Sequence, residues 1–460
     1  MKRQLFVVGL LLAAPAAALA QSAPIRLTLD EAIVRGIEAS HRLEDLGARH
    51  DAARAAVDQR EAATRPQVTA IASYTRTNHV EEFSVPNATG GVRVIYPDIP
   101  DNVRSRIDLQ WPIYTGGRLQ ALTRAAAAET DALGQDREAA RADLKLEITR
   151  SFLAVLTARA SLDVVRQALE RTSAHLGDVR NQLSVGLVPP SDVLSIEAQH
   201  ARQRMLSIEA ESIVETTTAD FKRLVGLDPE TPIELVADLK VSATKEVSTT
   251  KDVSTTKDVS TTKEVAVAQP FKAVVSEARE NRSERKSLLF RIAAAEERVA
   301  AAAGGALPVL TAIGGYDMAR PNPRIFPIQE KWKPSWDIGV NLRWSLFDGG
   351  RVRAETAEAA ASRRAIEARL REFDAAVDVE VRQRTAELRS AAAAIEAAET
   401  GVRAAMEARR VIAERFSAGV ATNTDVLNAQ AVLLQAELDL TRARANAALA
   451  SARLDRSLGR

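Results

Sequence analysis

The stretch LQWPIYTGGR, Leu109 to Arg118, returns as LRWSLFDGGR, Leu342 to Arg351, at an offset of 342 − 109 = 233 residues. The same offset lays SVGLVPPSDVL (Ser184 to Leu194) on SAGVATNTDVL (Ser417 to Leu427), and Arg223 and Gly226 on Arg456 and Gly459. Upstream, PQVTAIASY (Pro66 to Tyr74) matches PVLTAIGGY (Pro308 to Tyr316) at 308 − 66 = 242, so the intervening loop is 242 − 233 = 9 residues shorter in the second copy. Chance likeness between alanine-rich helices does not hold register across a strand motif and a turn motif. The chain is two copies of one unit, and whatever one copy folds into, the chain must hold twice.

Each copy reads in one order. A first helix of about 35 residues runs from Leu29 to near Thr64, with Thr28 as its cap, and again from Phe271 to near Ala303. Two extended segments follow, at about 66–78 and 104–115, then at about 308–318 and 335–347. A very long helix comes next, from Leu119 to about Val185 and from Val352 to about Ala418, broken at Gly186 and Pro189-Pro190, or at Gly419. Ser191/Asp192 and Thr422/Asp425 offer caps for a return helix, so the hairpins occupy 119–226 and 352–459. At 1.5 Å per residue the long helix measures about 100 Å, and the two short ones about 50–55 Å each. Short helices stacked end to end beside long ones would make a tall helical wall. Leu144, Ile148, Phe152, Val155, Leu162, Val165, Leu169, Leu176, Val179 and Leu183 keep the 3–4–7 spacing of a packing seam. An ordinary coiled coil also explains the helices, but leaves the strands idle.

The strands alternate. Trp336, Ile338, Val340, Leu342, Trp344 and Leu346 share one face, against Asp337, Gly339, Asn341, Arg343 and Ser345. Ile107, Leu109, Trp111 and Ile113 oppose Asp108, Gln110 and Pro112 in the same way. About 10 residues is the length of a tilted membrane-crossing strand. All four Trp and all four Tyr lie in these strand-and-loop regions, and such rings gather where lipid meets water. Tyr74, Trp111, Tyr114, Tyr316, Trp336 and Trp344 are the candidate membrane-interface aromatics. A soluble sandwich core is the alternative; the charges on the second face suit a watery lumen better. Four strands cannot close a barrel, and an open edge in lipid costs several kcal/mol for each unsatisfied group. The chain must therefore pool strands with sister chains.

The remaining segments narrow the function by exclusion. A formal net charge of +1 gives no nucleic-acid footprint, and the absence of cysteine removes disulfides and thiolate metal sites. Lys2 and Arg3, an apolar run from Leu5, and Ala18-Leu19-Ala20 read as a signal peptide over 1–20, so an exported protein is expected. Residues 21–235 form the first repeat and 271–460 the second. The 236–270 linker between them carries the tandem KEVSTTKDVSTTKDVSTTKEV (Lys245 to Val265), read as a mobile spacer, or else a binding strip. The loops near 78–102 and 317–334 suit extracellular positions. His41, His50, His175 and His200 read as solvated helix positions and His79 as a loop residue. No catalytic set, metal cluster or cofactor motif stands out, so no enzyme is expected.

The paired halves, the strand-to-GGR junctions and the turns VGLVPPSDVL and AGVATNTDVLNAQ resemble the TolC-type outer-membrane efflux channels. ARENRSER (Ala278 to Arg285) is similar to that family's Asn-Arg-Pro segment, with Ser283 where proline is usual. The resemblance covers nearly all of the mature chain. It implies a mainly helical fold with a β-barrel part: a homotrimer with a 12-stranded outer-membrane barrel and a 12-helix periplasmic tunnel. It further implies a passive exit duct for small molecules, served by an inner-membrane pump and a periplasmic adaptor. On this resemblance Gly186, Leu187, Gly419 and Val420 are adaptor-docking positions, and Asp192, Asp425 and Asn428 line the periplasmic entrance. The two aspartates are equally readable as helix caps. Asn428 stands where a second acidic residue can sit, and Phe416 and Ala421 where gate-closing Tyr and Arg can sit. The exit duct of a type I protein secretion system shares these features; an exported helical adhesin without a pore is the more distant alternative.

Overall fold

The computed structural model describes residues 24–88, 90–237 and 271–460; the expected signal peptide and the tandem repeat lie outside the described residues. In chain order the elements are β1 (Ile25–Leu27), α1 (Leu29–Glu38), α2 (His41–Ala62), β2 (Gln67–Arg76), β3 (Phe83–Pro86), β4 (Val92–Tyr96), β5 (Asp101–Tyr114), α3 (Arg118–Ser184), α4 (Pro190–Leu224) and β6 (Ile233–Leu235). Then follow α5 (Phe271–Asn281), α6 (Ser283–Ala303), β7 (Val309–Arg320), β8 (Lys333–Arg343), α7 (Arg351–Ser417) and α8 (Asn423–Ser457). The fold is mainly helical. The long helices α3 and α7 have 67 residues each, and the return helices α4 and α8 have 35 each. No helix among the described residues is long and apolar enough to cross a membrane.

The described chain divides into two units. The first comprises residues 24–40, 147–237 and 391–449. Here β1 and β6 pair in parallel, Ile25 opposite Ile233 and Leu27 opposite Leu235, a contact the sequence pattern did not suggest. Thr28 and Glu31 form a capping box at the start of α1. The seam on α3 is the core: Ile148, Phe152, Val155, Leu162, Val165, Leu176 and Val179 are buried. Phe152 meets Phe221 of α4 edge to face, with ring centroids 5.8 Å apart.

The second unit comprises residues 41–146, 271–390 and 450–460. Its four-stranded antiparallel sheet has the order β2-β5-β7-β8, so the copies meet at β5 and β7. The sheet is open: β2 and β8 are edges. Within the expected first outer loop, β3 and β4 form a separate hairpin. The helices of this unit approach on alanine (Ala121, Ala125, Ala132, Ala294, Ala295 and Ala301 are buried). Ion pairs rim the contact, with Arg124 on Glu297 at 2.8 Å and Arg285 on Asp374 at 2.8 Å.

Two expectations about the elements need correction. The single first helix of each copy is broken, because the tail of the return helix presses on it. Gly226, just past α4, sits so close to Ala39 that a β-carbon on it would lie 2.4 Å from Ala39 Cβ, and the helix stops at Glu38. In the second copy, Gly459 abuts Asn281 and Arg282 in the same manner. Arg282 adopts an extended backbone (ψ 122°) and opens α6. Its buried guanidinium lies over the Phe373 ring, 5.3 Å from the centroid, and pairs with Glu284 and Glu380. The second correction concerns the last strand, expected over 335–347. β8 ends at Arg343, whose partner Val309 is the first residue of β7. Pro308 just before it has no N–H with which to extend the ladder. Trp344 instead donates its indole N–H to the Ala306 carbonyl at 3.1 Å.

Candidate functional site

The sheet presents two unlike faces. Read across the strands, one row is Ala70, Ile107, Tyr316 and Trp336, and the next is Val68, Leu109, Gly314 and Ile338. Trp111, Ala312 and Val340 continue the same face. Apart from half-buried Ala312 these apolar side chains are exposed: Trp336 is 72% and Ile338 81% accessible. Alternation alone would turn Tyr114 to the other side. A bulge between Pro112 and Tyr114 shifts register, so Tyr114 pairs with Leu310 on the apolar face. Tyr74, opposite Val103, and Tyr114 bound this face along β5. The interval of 114 − 103 = 11 residues is about 37 Å of strand. At the usual barrel tilt of about 40° that is about 28 Å of height, close to the ~25 Å between membrane aromatic girdles. All six candidate aromatics are exposed.

The reverse face is ionic. Its rows are Thr69, Asp108, Gly315 and Asp337, then Ile71, Arg106, Asp317 and Ser335. Arg106 donates Nε to Asp108 at 2.7 Å and Nη1 to Asp337 at 3.1 Å, and also binds Asp317. Arg104 donates Nη2 to Asp317 at 2.9 Å. Sequence alternation flagged Asp108 and Asp337 but missed Arg104, Arg106 and Asp317. The strand order that unites them joins residues more than 200 positions apart.

Two Gly-Gly pairs join these strands to the long helices. Gly116 and Gly117 have φ of 64° and 76°, and Gly349 and Gly350 have φ of 66° and 85°. Two left-handed residues in succession make a defined turn that side chains with a β-carbon resist. Asp348 fastens the second turn, accepting from the Gly350 N–H at 2.9 Å and the Val352 N–H at 3.0 Å. The repeated motif is thus a strand-to-helix corner.

In the first unit the two helical hairpins end in the same Schellman turn. Leu187 N–H donates to Gln182 O and Gly186 N–H to Leu183 O, both at 2.9 Å. Val420 N–H donates to Arg415 O at 2.8 Å and Gly419 N–H to Phe416 O at 3.0 Å. Positive φ at Gly186 (76°) and Gly419 (73°) makes the turn possible and leaves Leu187 and Val420 exposed. Leu176, Val179, Val193 and Ile196 pack beneath, joined by Phe416 and Leu427 of the second hairpin.

Polar bridges tie the hairpins together and correct the reading of His175 as solvated. His175 is buried and lies against the Phe416 ring. Asn423 gives its Nδ2 to the Asp192 carbonyl at 3.2 Å, so its Oδ1 accepts from His175 Nε2 at 2.9 Å. Thr172 and Gln430 add a buried bond at 3.0 Å. Asp192 is no side-chain cap: α4 starts on Pro190 after Pro189. Asp425 is one. Its carboxylate accepts from the Thr422 N–H at 2.9 Å, while the Asp425 N–H returns a bond to Thr422 Oγ1 at 3.2 Å. Asn428 is exposed one turn further on.

The Thr422 N–H, aided by the Thr422 hydroxyl, holds the Asp425 carboxyl below the usual carboxylate range. A lowered folded-state value means that the cap stabilises α8 above the unfolded pKa. That stabilisation is lost as pH falls through the folded one. Protection factors in the first turn of α8, referred to the intrinsic exchange rate at each pH, are expected to fall on acidification, and in Thr422→Ala to be lowered already at neutral pH. Equal protection in the variant would refute the cap.

A chain with an exposed apolar sheet, an ionic reverse face and long paired helices has the makings of an outer-membrane channel. The profile of the outer membrane efflux protein family matches residues 33–227 and 274–460, and the chain belongs to this family. It is 27% identical over 340 residues to Protein CyaE of Bordetella pertussis, covering 73% of this chain and 67% of that protein. It is 22% identical over 429 residues to outer membrane protein TolC of Vibrio cholerae, covering 91% and 87%. The crystal structure of outer membrane protein VceC from Vibrio cholerae superposes with a TM-score of 0.74 at 20% identity, covering 94% of this chain and 96% of that one. The protein is an outer-membrane channel of the efflux type.

Proposed function

We propose that three copies assemble into a 12-stranded barrel in the outer membrane, with a 12-helix tunnel in the periplasm. This exit duct passively conducts small molecules out of the cell. The observation that carries the reading is the exposed apolar face of an open four-stranded sheet. Lipid satisfies that face but not the free N–H and C=O groups of β2 and β8, so edges must be shared between chains. Bacterial barrels begin at about 8 strands, and three chains of four strands give 12. The helical part also offers surface for a neighbouring copy, since Leu194, Met205, Ile208 and Ile213 of α4 are exposed.

An inner-membrane pump supplies energy and cargo through a periplasmic adaptor. The adaptor docks on the hairpin turns at Gly186, Leu187, Gly419 and Val420, where left-handed glycines hold apolar knobs in solvent. Asp192, Asp425 and Asn428 line the entrance. Capping does not exclude this role for Asp425, because its carboxylate stays exposed and charged. The purified protein in a planar bilayer should give discrete conductance steps. Asp192→Ala with Asp425→Ala should lower its cation preference. A water-soluble monomer without conductance would overturn the reading.

A further inference from the structure

The segment between β7 and β8, residues 321–332, does not extend freely beyond the sheet as an outer loop would. It folds back over the ionic face. Asn322 is 2% accessible; its Nδ2 donates to the Lys333 carbonyl at 2.9 Å and to Ser335 Oγ at 3.0 Å. Its Oδ1 accepts from the Arg324 N–H at 3.0 Å. Arg324 reaches Asp337 at 2.9 Å, joining the carboxylate that Arg106 already holds. Arg320 pairs with Glu330 across the base of the segment. Ser335, Asp337 and Asp317 all belong to the ionic face by register. On the ionic side of β7 Asp317 and Ala319 are buried, while Tyr316 and Met318 on the other side of the same strand remain exposed. The longer loop of the first copy is instead taken up by the β3–β4 hairpin.

Resting on the reading of the ionic face as the lumen of the barrel, we propose that residues 321–332 form an inward ledge. This ledge narrows the water path and sets both the conductance and the upper size of what passes. The network under the ledge balances Arg104, Arg106 and Arg324 against Asp108, Asp317 and Asp337. The ledge therefore acts by the space it fills and leaves ion preference to other groups. Asn322 and Arg324 are its positioning residues.

The chain has no cysteine, so Pro323→Cys places a single thiol on the exposed crest between the two anchors. Single channels of this variant are recorded before and after a cationic methanethiosulfonate is added on the outer side. Stepwise loss of conductance, up to three steps per channel, is expected. Complete labelling by mass with unchanged conductance would overturn the ledge. In the second arm, Arg324→Ala frees the ledge from Asp337. Conductance should rise about 1.5-fold and larger poly(ethylene glycol) chains should enter the pore; the lost guanidinium leaves one carboxylate per chain uncompensated, so cation preference should rise as well. Wild-type conductance and polymer cut-off in that variant would count against the inference while leaving the channel intact. An unmodified protein that gives no steps at all would instead bring down the channel reading, and the ledge with it.

Discussion

Ile338→Arg is expected to abolish assembly in the outer membrane. Ile338 is among the most exposed apolar side chains on the sheet, in the row of Val68, Leu109 and Gly314. That row lies between the aromatic positions at the two ends of the strands. An arginine near the midplane of a bilayer costs about 2–4 kcal/mol on a barrel surface. A three-chain barrel repeats the penalty to about 6–12 kcal/mol, comparable with the whole stability of an ordinary domain. The matched control is Asn341→Arg, three residues along the same strand on the ionic face opposite Thr311, which should assemble normally. Membrane fractionation with detergent-resistant trimers as the readout separates the two. Equal trimer yield from both variants would remove the lipid-facing assignment.

Gly419→Trp should reduce export by about tenfold or more, the order expected when a docking centre is blocked. Membrane level and trimer yield should stay unchanged. The turn has room for a side chain to start outward, because a β-carbon on Gly419 meets nothing within 4 Å. The left-handed backbone (φ 73°) adds local strain of about 1–2 kcal/mol at a helix end, too little to unfold the unit. Gly419→Ala carries the same strain without the bulk and should export nearly as well as the wild type. A tryptophan variant that exports normally would place the adaptor elsewhere; a similar loss from both variants would point to the turn itself rather than its surface.

What the sequence disclosed and what it hid follow from range. A strand carries its own period, so the two faces of β5 and β8 are visible in any short window. Strand order is not local. That Arg106 meets Asp317 and Asp337 depends on β5 of one copy lying beside β7 of the other. The bulge that returns Tyr114 to the apolar side breaks the alternation without leaving a glycine to mark it. Likewise nothing at Ala39 announces a break; Gly226, far along the chain, imposes it. His175 looked solvated because alanine-rich helices show weak contrast between faces. Its acceptor Asn423 is 248 residues away. The hairpin turns were legible because a Schellman glycine is both local and chemically distinctive.

The two unpaired margins of the sheet, at β2 and β8, have a genetic consequence. If each cylinder is completed by three subunits, a cell making normal and lipid-face-defective subunits in equal amounts would build only about one cylinder in eight from sound subunits alone. A defect of this kind should therefore behave as dominant over the healthy allele. A lesion that keeps the newly exported chain from folding at all should be recessive, since such a chain never joins its siblings.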